Sequence, residues 1–84
     1  ELVKASEIYK SLLFIKNNTN NLSKRFLSEV SRNLNKEGFL VDYLKVINSI
    51  TLQESLSQGD EEGHLVVAIA AKLGSVRLID NMFI

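Results

Sequence analysis

The nine residues from His64 to Lys72, HLVVAIAAK, decide the fold of this chain. Successive side chains of a strand point to opposite faces, so the alternation divides this stretch into two sets of residues. The two sets are Leu65, Val67 and Ile69 on one face and Val66, Ala68 and Ala70 on the other. Both sets are apolar, which is typical of a central strand that is covered on both sides. We therefore predict that this stretch is the central strand of a sheet.

Two further strands are predicted on either side of the central one. After it, Gly74-Ser75 supplies a tight turn and Val76 to Ile79 returns as a strand. Asp80-Asn81 then leads to a short apolar tail. Before it, the segment from Phe39 to Ile47 is rich in aromatic and β-branched residues, which favours a strand. The segment from Ile50 to Leu56 fits a short extended piece or one helical turn equally well.

Two amphipathic helices are predicted ahead of the strands. The first runs from Glu1 to Lys16 and the second from about Leu22 to Glu37, because apolar residues recur there at helical spacings. These residues are Leu2, Ala5, Ile8 or Tyr9, Leu12 and Ile15 in the first helix, and Leu22, Phe26, Val30 and Leu34 in the second. Between the helices, an asparagine-rich stretch favours a turn, and Asn20 or Asn21 is predicted to cap the second helix. Gly38 is placed to end that helix in the left-handed conformation.

These elements predict one α+β domain over residues 1–84, with two N-terminal helices packed on a small, about three-stranded antiparallel sheet. The face of the central strand that begins with Leu65 should meet Phe26 and Val30 of the second helix. Two helices cover only one side of such a sheet, so the face that begins with Val66 should stay uncovered. We expect that face to make the isolated chain self-associate, unless the segment from Ile50 to Leu56 folds over it.

The composition disfavours several classes of function. Ten Lys and Arg residues balance ten Asp and Glu residues, so no net field attracts nucleic acid or an anionic membrane. The chain has no cysteine, which excludes a disulfide framework and suits a reducing, cytoplasmic compartment. The longest apolar run, from Leu65 to Ala71, is far shorter than the roughly 18–20 residues of a membrane span. We therefore expect neither a nucleic acid nor a membrane as a partner.

No catalytic or metal-binding pattern is evident in the sequence. His64 is the only histidine, which disfavours both a histidine metal site and a serine triad. The carboxylates from Asp60 to Glu62 lie in a polar stretch between two glycines, where we predict a solvated loop and no metal. Ser31-Arg32-Asn33 falls within the second helix and should form an exposed polar face, with Arg32 within reach of Glu29.

Arg77, Asp80 and Asn81 form a polar cluster among apolar residues. An arginine is costly to bury without a carboxylate partner. One interpretation is an ion pair between Arg77 and Asp80 that closes the end of the sheet. The other is an interface with another domain. We favour the ion pair, and the two interpretations are compatible.

The end of the chain resembles the closing signature of the pantothenate synthetases (pantoate–β-alanine ligases). The stretch from Ala68 to Asn81, AIAAKLGSVRLIDN, is similar to the alanine-rich strand, glycine turn and Thr-Arg-Leu-Ile-Asp-Asn that end that family. Val76 stands in the threonine position, so any hydroxyl contact made there is lost. Val41-Asp42-Tyr43-Leu44 and Thr51-Leu52 also resemble family segments. The matches run from about residue 39 to residue 81, and the two helices agree in placement.

The resemblance implies an ATP-dependent ligase that condenses pantoate with β-alanine through a pantoyl adenylate, with ATP and Mg expected for the full-length enzyme. In that family the catalytic half is a Rossmann-like domain with a His-x-Gly-His motif, and a second motif contains Ser-Ser-Arg-Asn. This chain has no His-x-Gly-His, and Ser31-Arg32-Asn33 is in the wrong place for the second motif. The resemblance therefore places no catalytic, cofactor-binding or metal-binding residue on this chain, which we expect to be inactive alone.

What the resemblance leaves for this chain is the role of the C-terminal lid. Its partners would be the catalytic N-terminal domain of the same polypeptide and, for the full-length enzyme, a second subunit in a homodimer. The alternative function is an independent α+β module that binds another protein. A His-x-Gly-His motif encoded upstream would distinguish the two.

Overall fold

The chain folds as an α+β unit in which two helices precede a three-stranded antiparallel sheet, as predicted. The computed structural model describes the backbone of residues 2–56 and 63–84, and the side chains from residue 6 onward within those ranges. The helices and strands are α1 Leu2–Lys16, α2 Lys24–Lys36, β1 Leu40–Asn48, β2 Leu65–Leu73 and β3 Val76–Phe83, with a short 3₁₀ helix at Thr19–Asn21. The predicted loop from Asp60 to Glu62 lies outside the described residues. None of the described helices is long and apolar enough to cross a membrane.

Helix α2 is capped at both ends by its own sequence. The Phe26 amide donates to the Ser23 hydroxyl at 3.0 Å, so Ser23 is the N-cap. The prediction of an asparagine cap was wrong, because Asn20 and Asn21 form the 3₁₀ helix that precedes Ser23. At the other end Gly38 takes φ +102°, which confirms its predicted role.

A Schellman pattern of hydrogen bonds completes that C-terminal end of α2. The Phe39 amide donates to the Leu34 carbonyl and the Gly38 amide to the Asn35 carbonyl, both at 3.1 Å. Two carbonyls at the end of the helix thereby gain partners before β1 begins.

The order of strands in the sheet is β1-β2-β3, so the apolar stretch that begins at Leu65 is the central strand, as predicted. Gly74-Ser75 makes the two-residue turn into β3, with Gly74 at φ +63°. The prediction that β3 stops at Ile79 was wrong, since pairing continues through Asp80 and Asn81 to Phe83. Pairing with β2 outweighs the low intrinsic strand preference of Asp and Asn.

The core lies between the helices and one face of the sheet. Its fully buried side chains include Leu12 and Ile15 of α1 and Val46, Val67 and Ile69 of the sheet. Between the two candidates on α1, Ile8 is buried and Tyr9 is exposed. The stripe on α2 is also shifted: Leu27, Val30 and Leu34 are buried, whereas Leu22 and Phe26 are only partly so.

The segment after β1 makes a turn and then runs beside the outer edge of that strand. The Asn48 side-chain oxygen accepts from the Ile50 and Thr51 amides at 2.8 and 3.0 Å, which fixes the turn. The Ser55 amide then donates to the Val46 carbonyl at 3.0 Å, and Leu56 packs against the core. The segment is therefore a turn followed by a short extended piece.

Candidate functional site

The ion pair of the predicted cluster has a different partner from the one expected. The Arg77 Nε atom donates to the Asp42 carboxylate at 3.1 Å, not to Asp80. Residues three apart on a strand point to opposite faces, so Arg77 and Asp80 cannot meet once β3 continues past Ile79. Asp42 is the extra residue of a bulge in β1, and this bulge brings its carboxylate to Arg77 across the central strand.

Asp80 instead accepts a hydrogen bond at the free edge of the sheet, which is the outer side of β3. The Ile84 amide donates to the Leu65 carbonyl, so the backbone N–H and C=O groups of every second residue counted back from Ile84 point towards β2. The backbone groups of Asn81 therefore point away from the sheet. The Asp80 carboxylate accepts this outward Asn81 amide at 2.8 Å. An unpaired donor on an edge strand is a template for adding another strand, and here the neighbouring side chain occupies it. Both residues stand out in the sequence, but their contact does not, because it depends on which way the backbone of the edge strand points.

One face of the sheet is not covered by either helix. We call it the open face; its residues on the three strands are Leu40, Tyr43, Lys45 and Ile47, then Val66, Ala68, Ala70 and Lys72, and finally Arg77, Ile79, Asn81 and Phe83. Leu40, Ile79 and Phe83 are 63%, 62% and 60% exposed. The prediction that Val66, Ala68 and Ala70 share this uncovered side is confirmed by the strand register.

The open face is basic as well as apolar. Lys72 stands opposite Arg77, and the Lys45 ammonium lies 5.2 Å from the centre of the Tyr43 ring. Asp42 offsets one of these charges through its contact with Arg77. The segment from Ile50 to Leu56 does not fold over this face, since Leu56 packs into the core on the helix side.

The remaining polar candidates occupy exposed positions. The His64 amide donates to the Ser49 hydroxyl at 2.9 Å, and its ring meets Phe83 edge-on, with 6.3 Å between ring centres. Within residues 2–56 and 63–84, no three His, Cys, Asp or Glu side chains cluster as metal ligands would. Arg32 is exposed as predicted, but Glu29 pairs with Arg25 at 3.6 Å and not with Arg32.

A groove of about 840 Å³ lies on the opposite side of β1 from the open face. Its walls are α2 and the outer edge of β1, and the residues at 54–56 close one end. A volume of this size falls within the range of ligand-binding clefts. No pattern in the sequence indicates this groove, because its walls come together only when α2 packs beside the edge strand.

Comparison with known proteins gives one family. The family model of pantoate-beta-alanine ligase matches residues 1–83. A pantothenate synthetase from Coprothermobacter proteolyticus is 38% identical over 90 residues, which covers 100% of this chain and 30% of that protein. One from Ectopseudomonas mendocina is 37% identical over 83 residues, covering 95% of this chain and 28% of the relative. One from Alcanivorax borkumensis is 49% identical over 55 residues, covering 66% and 18%. The chain thus spans less than a third of the length of these relatives.

Proposed function

Since the chain belongs to the pantoate-beta-alanine ligase family, we propose that it is the C-terminal lid domain of an ATP-dependent ligase that condenses pantoate with β-alanine. The extent of the match carries this proposal. The family model matches residues 1–83, yet the chain amounts to at most 30% of the relatives above. Because this folded unit matches only one part of a longer ligase, we assign it a role in closing the active site of that ligase.

The open face is the surface we assign to contact with the rest of the ligase. Exposed apolar patches of a few hundred Å² commonly mark contacts with another protein surface. Leu40, Ile79 and Phe83 are large apolar side chains exposed on this face, and Ala68, the small partly exposed residue of β2, lets another surface come close to the sheet. In the isolated chain the same face would pair with a second copy.

The lid role follows from the chemistry of the proposed reaction. The pantoate carboxylate attacks the α-phosphate of ATP and forms an acyl adenylate with release of pyrophosphate. The amine of β-alanine then attacks the acyl carbon and displaces AMP. Water attacks the same adenylate, so a lid that excludes water protects the intermediate until the amine arrives. We assign ATP, Mg and the catalytic residues to the remaining polypeptide, a homodimeric and cytoplasmic enzyme, and none of them to this chain.

An exchange of domains tests the proposal. The matching segment of the Coprothermobacter proteolyticus enzyme is replaced by this chain, and pantothenate formation is measured with saturating substrates. We expect the chimera to retain activity and a truncated enzyme without the segment to lose most of it. A truncated enzyme as active as the chimera would contradict the lid role.

A matched pair of variants tests the surface assigned to the contact. Phe83→Asp on the open face should lower the chimera's activity, because it places a charge within the domain contact. Tyr9→Asp is the control, since Tyr9 is 52% exposed and lies on α1, which packs on the other face of the sheet. Equal losses from both variants would mean that the open face is not the contact surface.

A further inference from the structure

The groove beside the outer edge of β1 already begins a fourth strand. The Asn48 amide donates to the Gln53 carbonyl at 2.9 Å and the Ser55 amide donates to the Val46 carbonyl at 3.0 Å. A short antiparallel ladder therefore runs along this edge between residues 46–48 and 53–55. Towards its other end, the Asn35 side-chain oxygen accepts the Val41 amide at 3.4 Å.

Leu44 stands between these two contacts, with its backbone directed into the groove. It lies two residues from Val46, so its amide and carbonyl point outward in the same direction as the Val46 carbonyl. Among the described residues, neither of these Leu44 groups has a partner beyond the sheet. A free donor and acceptor beside an existing ladder are what a further extended segment needs.

The wall formed by α2 favours acidic side chains. Lys24 and Arg32 line the groove, and within the described part of the chain neither makes an ion pair. Ser28 and Ser31 lie between them and offer hydroxyl donors. Among the described residues that line the groove, Glu54 is the one acidic side chain.

The other side of an added strand would continue the open face. There the β1 residues are Tyr43, Lys45 and Ile47, and the Lys45 ammonium lies over the Tyr43 ring. Apolar side chains suit this side beside Tyr43 and Ile47, because the Lys45 ammonium is already held over the Tyr43 ring. A segment that alternates acidic and apolar residues would therefore match both sides of the edge.

We propose that this groove binds an extended segment of polypeptide with alternating acidic and apolar residues, which adds to β1 beside Leu44. The acidic side chains lie towards Lys24 and Arg32, and the apolar ones extend the open face. The proposal is independent of the lid role, because it needs only the folded 84-residue chain.

Titration of the isotope-labelled chain with a short peptide tests this proposal. The probe is an acetylated, amidated hexapeptide of alternating Glu and Val, and the measurement is the movement of backbone amide signals. We expect the Leu44 amide to shift and to exchange more slowly with solvent as the peptide is added. A Lys-Val hexapeptide should bind several-fold more weakly. Equal binding of the two peptides, or an unchanged Leu44 amide, would overturn the proposal.

Two controls separate strand addition from general attraction between charges. Arg32→Gln should lower the affinity for the Glu-Val peptide about two- to fivefold, which corresponds to the contribution of one exposed ion pair. Arg25→Gln removes the same charge from α2 outside the groove and should leave affinity unchanged. A peptide N-methylated at its central residues should lose most binding, because it cannot pair with the Leu44 backbone. Retained binding of that peptide, or equal losses from the two arginine variants, would contradict strand addition.

Discussion

At the level of single residues, the alternation of strand faces gives similar side chains very different contributions to the free energy of unfolding. Ile69 is fully buried in the core between the helices and the sheet, whereas Ile79 on the neighbouring strand is 62% exposed on the open face. The two side chains are chemically identical, so their difference in burial alone decides what each contributes to stability. The sequence pattern predicted this difference for Ile69, because strand faces alternate with a period of two.

Truncation of these two isoleucines measures that difference. Ile69→Ala should lower the free energy of unfolding by about 2–5 kcal/mol, because it removes buried methyl groups and leaves a cavity. Ile79→Ala should change it by about 0.5 kcal/mol or less, as is usual for exposed positions. Urea unfolding of both variants provides the measurement. A midpoint unchanged by Ile69→Ala would mean that the faces of the sheet are reversed, and equal losses from the two variants would contradict the difference in burial.

At the level of whole elements, the two free edges of the sheet have different hydrogen-bond partners for their outward backbone groups. The outer edge of β1 is partly paired with residues 53–55, while β3 relies on the contact between Asp80 and the Asn81 amide. An exposed apolar edge strand invites addition of another chain, and β3 carries Val76, Ile79 and Phe83 in exposed positions. We infer that the Asp80 carboxylate limits pairing along β3.

Two substitutions of Asp80 test this inference by sedimentation of the isolated chain across a range of concentrations. Asp80→Ala frees the Asn81 amide and should produce species larger than a dimer. Asp80→Asn removes the same charge but keeps an acceptor oxygen, so it should sediment like the unmodified chain. If both variants form larger species alike, charge and not the hydrogen bond protects the edge.

The sequence predicted elements better than their ends and contacts. Periodicity predicted both helices and the central strand, because burial of one or both faces leaves a pattern in the residues. It missed the last half of β3, where Asp80 and Asn81 resemble a turn until β2 provides backbone partners. The Asp42 bulge that selects the partner of Arg77 was equally hidden, since a register shift has no signature in one strand alone.

At the scale of the whole molecule, the fold separates two surfaces with different predicted partners. The helices cover one side of the sheet, and the open face and the groove lie apart from each other. We propose the rest of the ligase as the partner of the open face and an extended segment as the partner of the groove. The resemblance at residues 68–81 predicted the family, and the match over residues 1–83 supports it across the chain. No sequence pattern predicted the groove, because α2 and the edge of β1 come together only when the core folds.

We propose that this chain acts as a lid over an acyl adenylate, and the ratio of AMP to pantothenate formed by the chimera measures how well it protects that intermediate. Each molecule of pantothenate accounts for one AMP, whereas hydrolysis of the adenylate yields AMP without pantothenate. We predict a ratio close to one for the intact chimera and a clear rise above one when Phe83→Asp loosens the open face. A ratio that stays at one while both products fall together would contradict the lid role.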